Sequence, residues 1–301
     1  MKSLLIALTA LALFTAGSGA IAAGDLLRID VVALDGRGAP VLDLRPSEFE
    51  VWINGFQIPI ETVTFVAPGV ADASRTIVVL LDDMSVTQTL VPRVREAARR
   101  LVERTSDADR VSVVSLNSGV MERSNDRDHV LKAIDSYHVS GFPLRIDVAG
   151  EQVLKTVTGI SRQLAELPGG RKAIVAVGSG WLFDTPIPPP QVQMDLRREW
   201  LDAMRASAAA HVSLYVIDPA GLGTRRVDAG ASGFARETGG MAFTNTNDIR
   251  GAVDRILTEL GNYYVLSIQD PPVGRKADLR ELEVKILRRG VTPRARRAIQ
   301  P

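Results

Sequence analysis

TIVVLLDDMSVT, residues 76–87, places five aliphatics in a row after Thr76 and then turns abruptly to carboxylates and hydroxyls. A run without alternation suits a strand buried on both faces, as in a parallel sheet covered by helices. Leu90, Val94, Ala97, Ala98, Leu101 and Val102 follow at helical spacing. The same grammar recurs downstream. Val111–Leu116, Ala173–Val177 and Val212–Ile217 read as buried strands, and Met241–Phe243 as a short one. Asp128–Tyr137, Glu151–Leu167, Gln191–Ala210, Ala229–Thr238 and Asn247–Leu260 read as helices, the last closed by Gly261 at C′. Strands alternating with helices predict an α/β fold, a doubly wound and mostly parallel sheet spanning residues 74–261.

Both flanks keep a different period. Leu27, Ile29 and Val31 alternate with Arg28, Asp30 and Val32, and Asp35-Gly36-Arg37-Gly38 supplies turn chemistry. Phe49, Val51 and Ile53 alternate again, Asn54-Gly55 is a strong hairpin signal, and Phe56, Ile58 and Ile60 return. Beyond Tyr263, Leu282, Val284 and Ile286 alternate with Glu281, Glu283 and Lys285. Lone strands at both ends would leave backbone groups unpaired. Residues 24–70 are therefore expected to pair with residues 262–301 in one small β domain, with the α/β unit inserted between them. Pro186-Ile187-Pro188-Pro189-Pro190 reads as a stiff surface loop.

The chain of 301 residues is 46% hydrophobic and 24% charged, with a formal charge of +1, as expected of a globular protein with no global pull toward polyanions. The lack of cysteine excludes thiol chemistry, disulfides and cysteine-ligated metal. His129, His138 and His211 are the only histidines, which argues against a histidine-rich metal centre. Residues 1–23 follow the pattern of a secretory signal: Lys2, an apolar stretch from Leu4 to about Ala16, then Ala20-Ile21-Ala22. A retained anchor would want about 20 apolar residues, and Ser18 and its neighbouring glycines interrupt that run. No later segment is long and apolar enough to span a bilayer. The expectation is export to the periplasm or beyond, with no integral membrane segment after cleavage.

In a doubly wound sheet, ligands bind beyond the carboxyl ends of the strands, which is where the corner after Leu81 falls. Two readings stand. Asp83-x-Ser85-x-Thr87 brings three oxygen side chains to one loop, as a hard cation requires. Alternatively Asp82 or Asp83 satisfies the amides at the start of the next helix. Other chemistry is poorly represented. Gly178-Ser179-Gly180 lacks the G-x-S-x-G spacing of a nucleophile elbow, and there is no phosphate-binding loop or H-E-x-x-H. Gly221, Gly223 and Gly239-Gly240 read as loop geometry. Arg288, Arg289, Arg294, Arg296 and Arg297 cluster without interleaved aromatics, so a solvated strand face or an acidic partner is expected rather than nucleic acid.

Six stretches carry a family resemblance: LLRIDVVALDGRGAPVLDLRPSEFEVWING, TIVVLLDDMS, GGRKAIVAVGSG, ARETGGMAFTNTNDI, NYYVLSIQD and VKILRRGVTPRAR. From about Leu26 to Arg297 the chain resembles the von Willebrand factor type A domain, and within it a bacterial secreted group called the VWFA-related Acidobacterial domain. The resemblance implies a Rossmann-like α/β core and a metal-ion-dependent adhesion site. Asp83, Ser85 and Thr87 match the family's Asp-x-Ser-x-Ser loop. Ser179 falls where the family has an aspartate. The family's second-loop threonine falls within Leu144–Asp147, which contains none; Asp147 is the candidate substitute there, and Asp184 is a further one. The implied site is thus a degenerate one, in which Asp83, Ser85 and Thr87 hold Mg²⁺ or another divalent cation weakly, with Asp82, Asp147 and Ser179 on the binding face. The implied function is an exported, non-catalytic module that binds a protein partner in the envelope or outside the cell. The alternative is a hydrolase or other enzyme using the strand-end cleft.

Overall fold

The computed structural model describes residues 26–68, 74–117, 121–123, 126–139, 146–179, 193–222, 229–271 and 279–300. The amino-terminal flank forms β1 (Leu26–Leu34), β2 (Phe49–Ile53), β3 (Phe56–Ile58) and β4 (Ile60–Val66). Asn54 (φ 49°) and Gly55 (φ 80°) both take positive φ, the geometry that a two-residue turn matched to strand twist demands.

The central unit contains β5 (Arg75–Leu81), α1 (Val91–Glu103), β6 (Arg110–Ser115), β7 (Met121–Arg123), α2 (Arg127–Asp135), α3 (Ile146–Ala165) and β8 (Arg171–Val177). It continues with α4 (Gln193–Ala209), β9 (Val212–Ile217), α5 (Ala229–Glu237), β10 (Ala242–Phe243) and α6 (Ile249–Gly261). Its six-stranded sheet has the order β10-β9-β8-β5-β6-β7, parallel except for β7. Ile77, Val79 and Leu81 pack with α1, α2 and α6 on one face, while Val78 and Leu80 pack with α3, α4 and α5 on the other. Both faces of β5 are thus covered, which explains its unbroken aliphatic run.

The carboxyl-terminal flank adds β11 (Tyr263–Gln269), β12 (Arg280–Ile286), β13 (Thr292–Ala295) and β14 (Ala298–Ile299). Strands from the two ends interleave in two four-stranded sheets, β13-β1-β11-β4 and β14-β12-β2-β3. These sheets share a core built from Ile29, Val31, Val51, Ile53, Leu266, Ile268, Leu282 and Val284. Tyr264 lies with its ring centroid 5.1 Å from those of Phe49 and Phe65. Its hydroxyl accepts from Leu44 N (2.9 Å) and donates to Val41 O (3.1 Å), tying the β1–β2 connection to β11.

Several boundaries differ from the sequence pattern for identifiable reasons. The stripe of α3 already includes Ala149, buried like Val153, Val157, Ile160 and Leu164, so the helix begins at Ile146 rather than Glu151. Gly261 is the last residue of α6 rather than a C′ residue; Asn262, extended, stops the helix and donates from its side chain to Thr258 O at 2.8 Å. The arginines near the carboxyl terminus do not share one face. Arg288 is paired with Asp43 and Glu48, Arg294 contacts Glu259, and Arg296 is buried. Among the described residues, no helix is long and apolar enough to cross a membrane.

Candidate functional site

The chain winds from β5 outward to β6 and β7, then returns to β8 and winds the other way through β9 and β10. The reversal falls between β5 and β8, and such switch points open a crevice beyond the strands' carboxyl ends. Leu116 N donates to Leu81 O (2.9 Å), Asp82 N to Val177 O (3.1 Å) and Gly178 N to Ile217 O (3.0 Å), extending the ladder one step past each strand. Asp82, Asp83, Asn117, Ser179 and Asp218 therefore meet along one rim.

Asp82 is the hub of that rim and is only 4% exposed. Its Oδ1 accepts from Met84 N (3.1 Å) and Ser85 N (2.9 Å). Its Oδ2 accepts from the Ser85 hydroxyl and from Ser179 N (3.0 Å). An ionised carboxylate offers about four acceptor sites, and among the described residues four protein donors engage them. The Tyr137 hydroxyl donates to the Asp82 carbonyl. Ser179 Oγ donates to Asp218 Oδ1 at 2.9 Å, and Ala220 N reaches the same oxygen at 2.9 Å. Hydrogen bonds thus run from the β5 loop through the β8 loop to the β9 loop. Gly178 makes this approach feasible, since a Cβ there would lie 2.1 Å from the Asp82 Cβ.

Asp83 lies on the other side of the corner. It is 8% exposed, and its Oδ1 accepts from Asn117 N at 2.8 Å, joining β5 to β6. Burial raises its pKa above the ordinary carboxylate value; the Asn117 amide opposes this and neighbouring Asp82 adds to it. Ser85 turns to Asp82 rather than to Asp83. Thr87 is exposed, its hydroxyl 2.9 Å from that of Thr89, at the head of a 3-10 turn, Gln88–Leu90, that leads into α1. Among the described residues, the motif's three residues thus bond to three different partners: Asp83 to Asn117, Ser85 to Asp82 and Thr87 to Thr89.

Two residues assigned to the binding face lie beneath it. Asp82 and Ser179 are both buried, so they hold the loops whose outer residues meet solvent. Asp147 falls in the first turn of α3, and its side chain lies outside the described residues, as do Asp184 and the whole of residues 1–23. Asp218, Asn117 and Tyr137 were not singled out by motif. Asp218 has a usable signal: it ends the apolar run VSLYVI as Asp82 ends TIVVLL.

A hard cation such as Mg²⁺ needs oxygen lone pairs converging in octahedral array. At this corner the oxygens of Asp82 face N–H and O–H donors, and the hydroxyls of Ser85 and Ser179 point at carboxylates. Among the described residues there is no group of three or more His, Asp or Glu placed to hold a metal. The arrangement does not fit a tightly held ion. It fits a corner in which backbone amides neutralise a buried carboxylate.

No family model matches the chain, and no curated protein does. Among solved structures, a mutant of the PilB minor pilin from Streptococcus sanguinis aligns at TM-score 0.45 and 11% identity, over 64% of this chain and 63% of that one. The human COPII-coat protein Sec24c aligns at TM-score 0.37 and 10% identity, over 79% and 44% of the two chains. The pilus adhesin RrgA from Streptococcus pneumoniae aligns at 0.28 and 12%, over 55% and 28%. The chain spans less than two-thirds of each. These scores are low and carry nothing about what this chain binds or does.

Proposed function

We propose that this chain is an exported, non-catalytic binding module of the von Willebrand factor A type, meeting a protein partner across the carboxyl-end rim of its parallel sheet. The adhesion-site motif is degenerate: its corner is closed by the chain's own donors, with at most weak residual affinity for a divalent cation. The supporting observation is the fourfold engagement of Asp82. That clamp fixes the β5 and β8 loops before any partner arrives, and preorganisation of this kind reduces the entropy lost on binding. The enzymatic alternative needs a nucleophile beside a base. The Ser179 hydroxyl does meet the Asp218 carboxylate, but both are buried beneath the rim, and His138 turns its Nδ1 to Ser136 O at 3.0 Å.

Calorimetry on the protein with Mg²⁺ should show no binding tighter than about 1 mM, an affinity worth about 4 kcal/mol. Capture of a partner from envelope extract should be equal with and without divalent cation. Micromolar Mg²⁺ affinity abolished by Asp83→Ala, or capture that requires the cation, would overturn the proposal.

A further inference from the structure

Two sheet edges border one cleft at the side of the molecule. β10 ends the six-stranded sheet, and β13 ends one sheet of the sandwich. The cleft encloses about 330 Å³, with Thr292 and Arg294 on the sandwich wall and Arg236 and Ala242 on the wall formed by α5 and β10; Arg297 also lines it. The two walls are tied together. Arg297 N donates to Glu237 O at 2.9 Å. The turn from α5 to β10 rests directly on the end of β13, since a Cβ on Gly239 would come 2.6 Å from Arg296 N. Gly239 also takes φ 79°, which glycine alone adopts freely. The lining runs from Gly240 to Ala242, on the amino side of β10, so the cleft is separate from the carboxyl-end rim.

The β10 edge offers main-chain groups. Met241 O accepts from Val216 N at 3.0 Å and Phe243 O from Asp218 N at 2.9 Å. Backbone groups alternate sides along a strand, so Ala242 turns its N–H and C=O away from β9, to the edge where no described strand pairs. The β13 edge is less open, because Pro293 has no N–H to give. The cleft is also cationic. Arg236 Nε lies 3.8 Å from Glu237 Oε1. Arg294 Nη1 lies 3.4 Å from Oε2 of buried Glu259, whose Oε1 is already 3.3 Å from Arg255 Nε. Arg297 is exposed and has no ion pair among the described residues. Positive charge is therefore in excess along the cleft.

We propose that this cleft takes an extended acidic segment of a protein partner, which adds as a strand to β10 and sets carboxylates against Arg236, Arg294 and Arg297. An exposed edge bonds a visiting strand through its main chain, while alternate side chains meet the walls. Guanidinium forks match carboxylates with two parallel bonds. Ala242 decides between occupants, because it presents a donor and an acceptor together. A peptide satisfies both, whereas a carboxylate or sulfate ion has no hydrogen for the carbonyl. The site goes beyond the reading of the rim and does not depend on it.

Titrating the full chain into a blocked, dye-labelled peptide that alternates glutamate with valine, read by fluorescence polarisation, tests this. Saturable binding is expected, about tenfold weaker for the matching lysine peptide. Arg236→Gln and Arg297→Gln, both at exposed side chains, should each weaken it about threefold, and N-methylating the peptide along its length about tenfold. Hydrogen exchange on the unmodified protein needs no variant: the Ala242 amide should exchange more slowly with the glutamate peptide bound. No saturation below about 1 mM, equal binding of the lysine peptide, or indifference to N-methylation would overturn the proposal. So would unchanged exchange at Ala242. Displacement by sodium sulfate beyond that by sodium chloride at equal ionic strength would mean an ion site instead of a strand site.

Discussion

At the carboxyl end of the six-stranded sheet, buried Asp82 accepts four hydrogen bonds among the described residues, whereas at the amino end Lys172 makes none among them. The contrast follows from chain direction and from what each end packs against. Beyond a carboxyl end, loops turn toward helices and present free backbone N–H groups, so a carboxylate finds donors locally. At the amino end the sheet meets the sandwich, where β1 and β11 pair their backbone groups with each other in a ladder, so fewer local backbone acceptors face a cation. A buried anion at the rim is therefore a structural clamp, whereas the cation at this seam between sheet and sandwich holds no loop in place.

The largest expected effect breaks the clamp. Asp82→Ala leaves Met84 N, Ser85 N and Ser179 N without their acceptor, and should cost about 4 kcal/mol in urea unfolding. Asp82→Asn should cost less, since the amide oxygen still accepts. A loss under about 1 kcal/mol in the alanine variant would mean the rim is not held as described.

At the seam the expected effect is acid sensitivity. His211 has its pKa lowered from 6.5 to about 4, chiefly by burial. Between those values the unfolded chain binds a proton that the folded chain refuses, so stability falls as pH drops through that window, by up to about 3 kcal/mol. His211→Asn should flatten the slope, and asparagine tolerates the backbone φ of 55° at this position. An unchanged slope would indicate that the seam admits water freely.

The smallest effect sharpens the difference between the two adjacent aspartates. Asp83 has its pKa raised by burial, so the native state keeps a proton that the unfolded chain has already lost. Its ionised form thus weakens the fold at neutral pH, and this penalty disappears as pH falls through the native pKa. Asp83→Asn retains an acceptor for Asn117 N and should be neutral or stabilising by under about 1 kcal/mol at pH 7. A large loss would show that the Asp83 charge is productively paired.

The parallel strands were legible because burial on both faces leaves an aliphatic run that no other environment explains, as in Ile77–Leu81. The hairpin at Asn54-Gly55 was legible because positive φ is a local demand. The short strands β13 and β14 were not, since they are held by register with partners elsewhere in the chain, β1 and β12; β7, three residues long, is too short for a period to show. At the corner, residue types alone could not separate Asp82 from Asp83. The choice rests on Ser179, whose amide arrives from 97 positions away. Arg296 reads as a solvated residue for the same reason: the Ala208 carbonyl that buries it is 88 positions distant.

The interleaving of the two flanks also sets an order of events during synthesis. β1 emerges first, yet its neighbours β11 and β13 are among the last strands to be made. The inserted unit, by contrast, has all its strands between Arg75 and Phe243 and can close earlier. A chain halted before Tyr263 would carry a finished α/β body beside a first strand with both edges bare, a template for pairing with another unfinished copy.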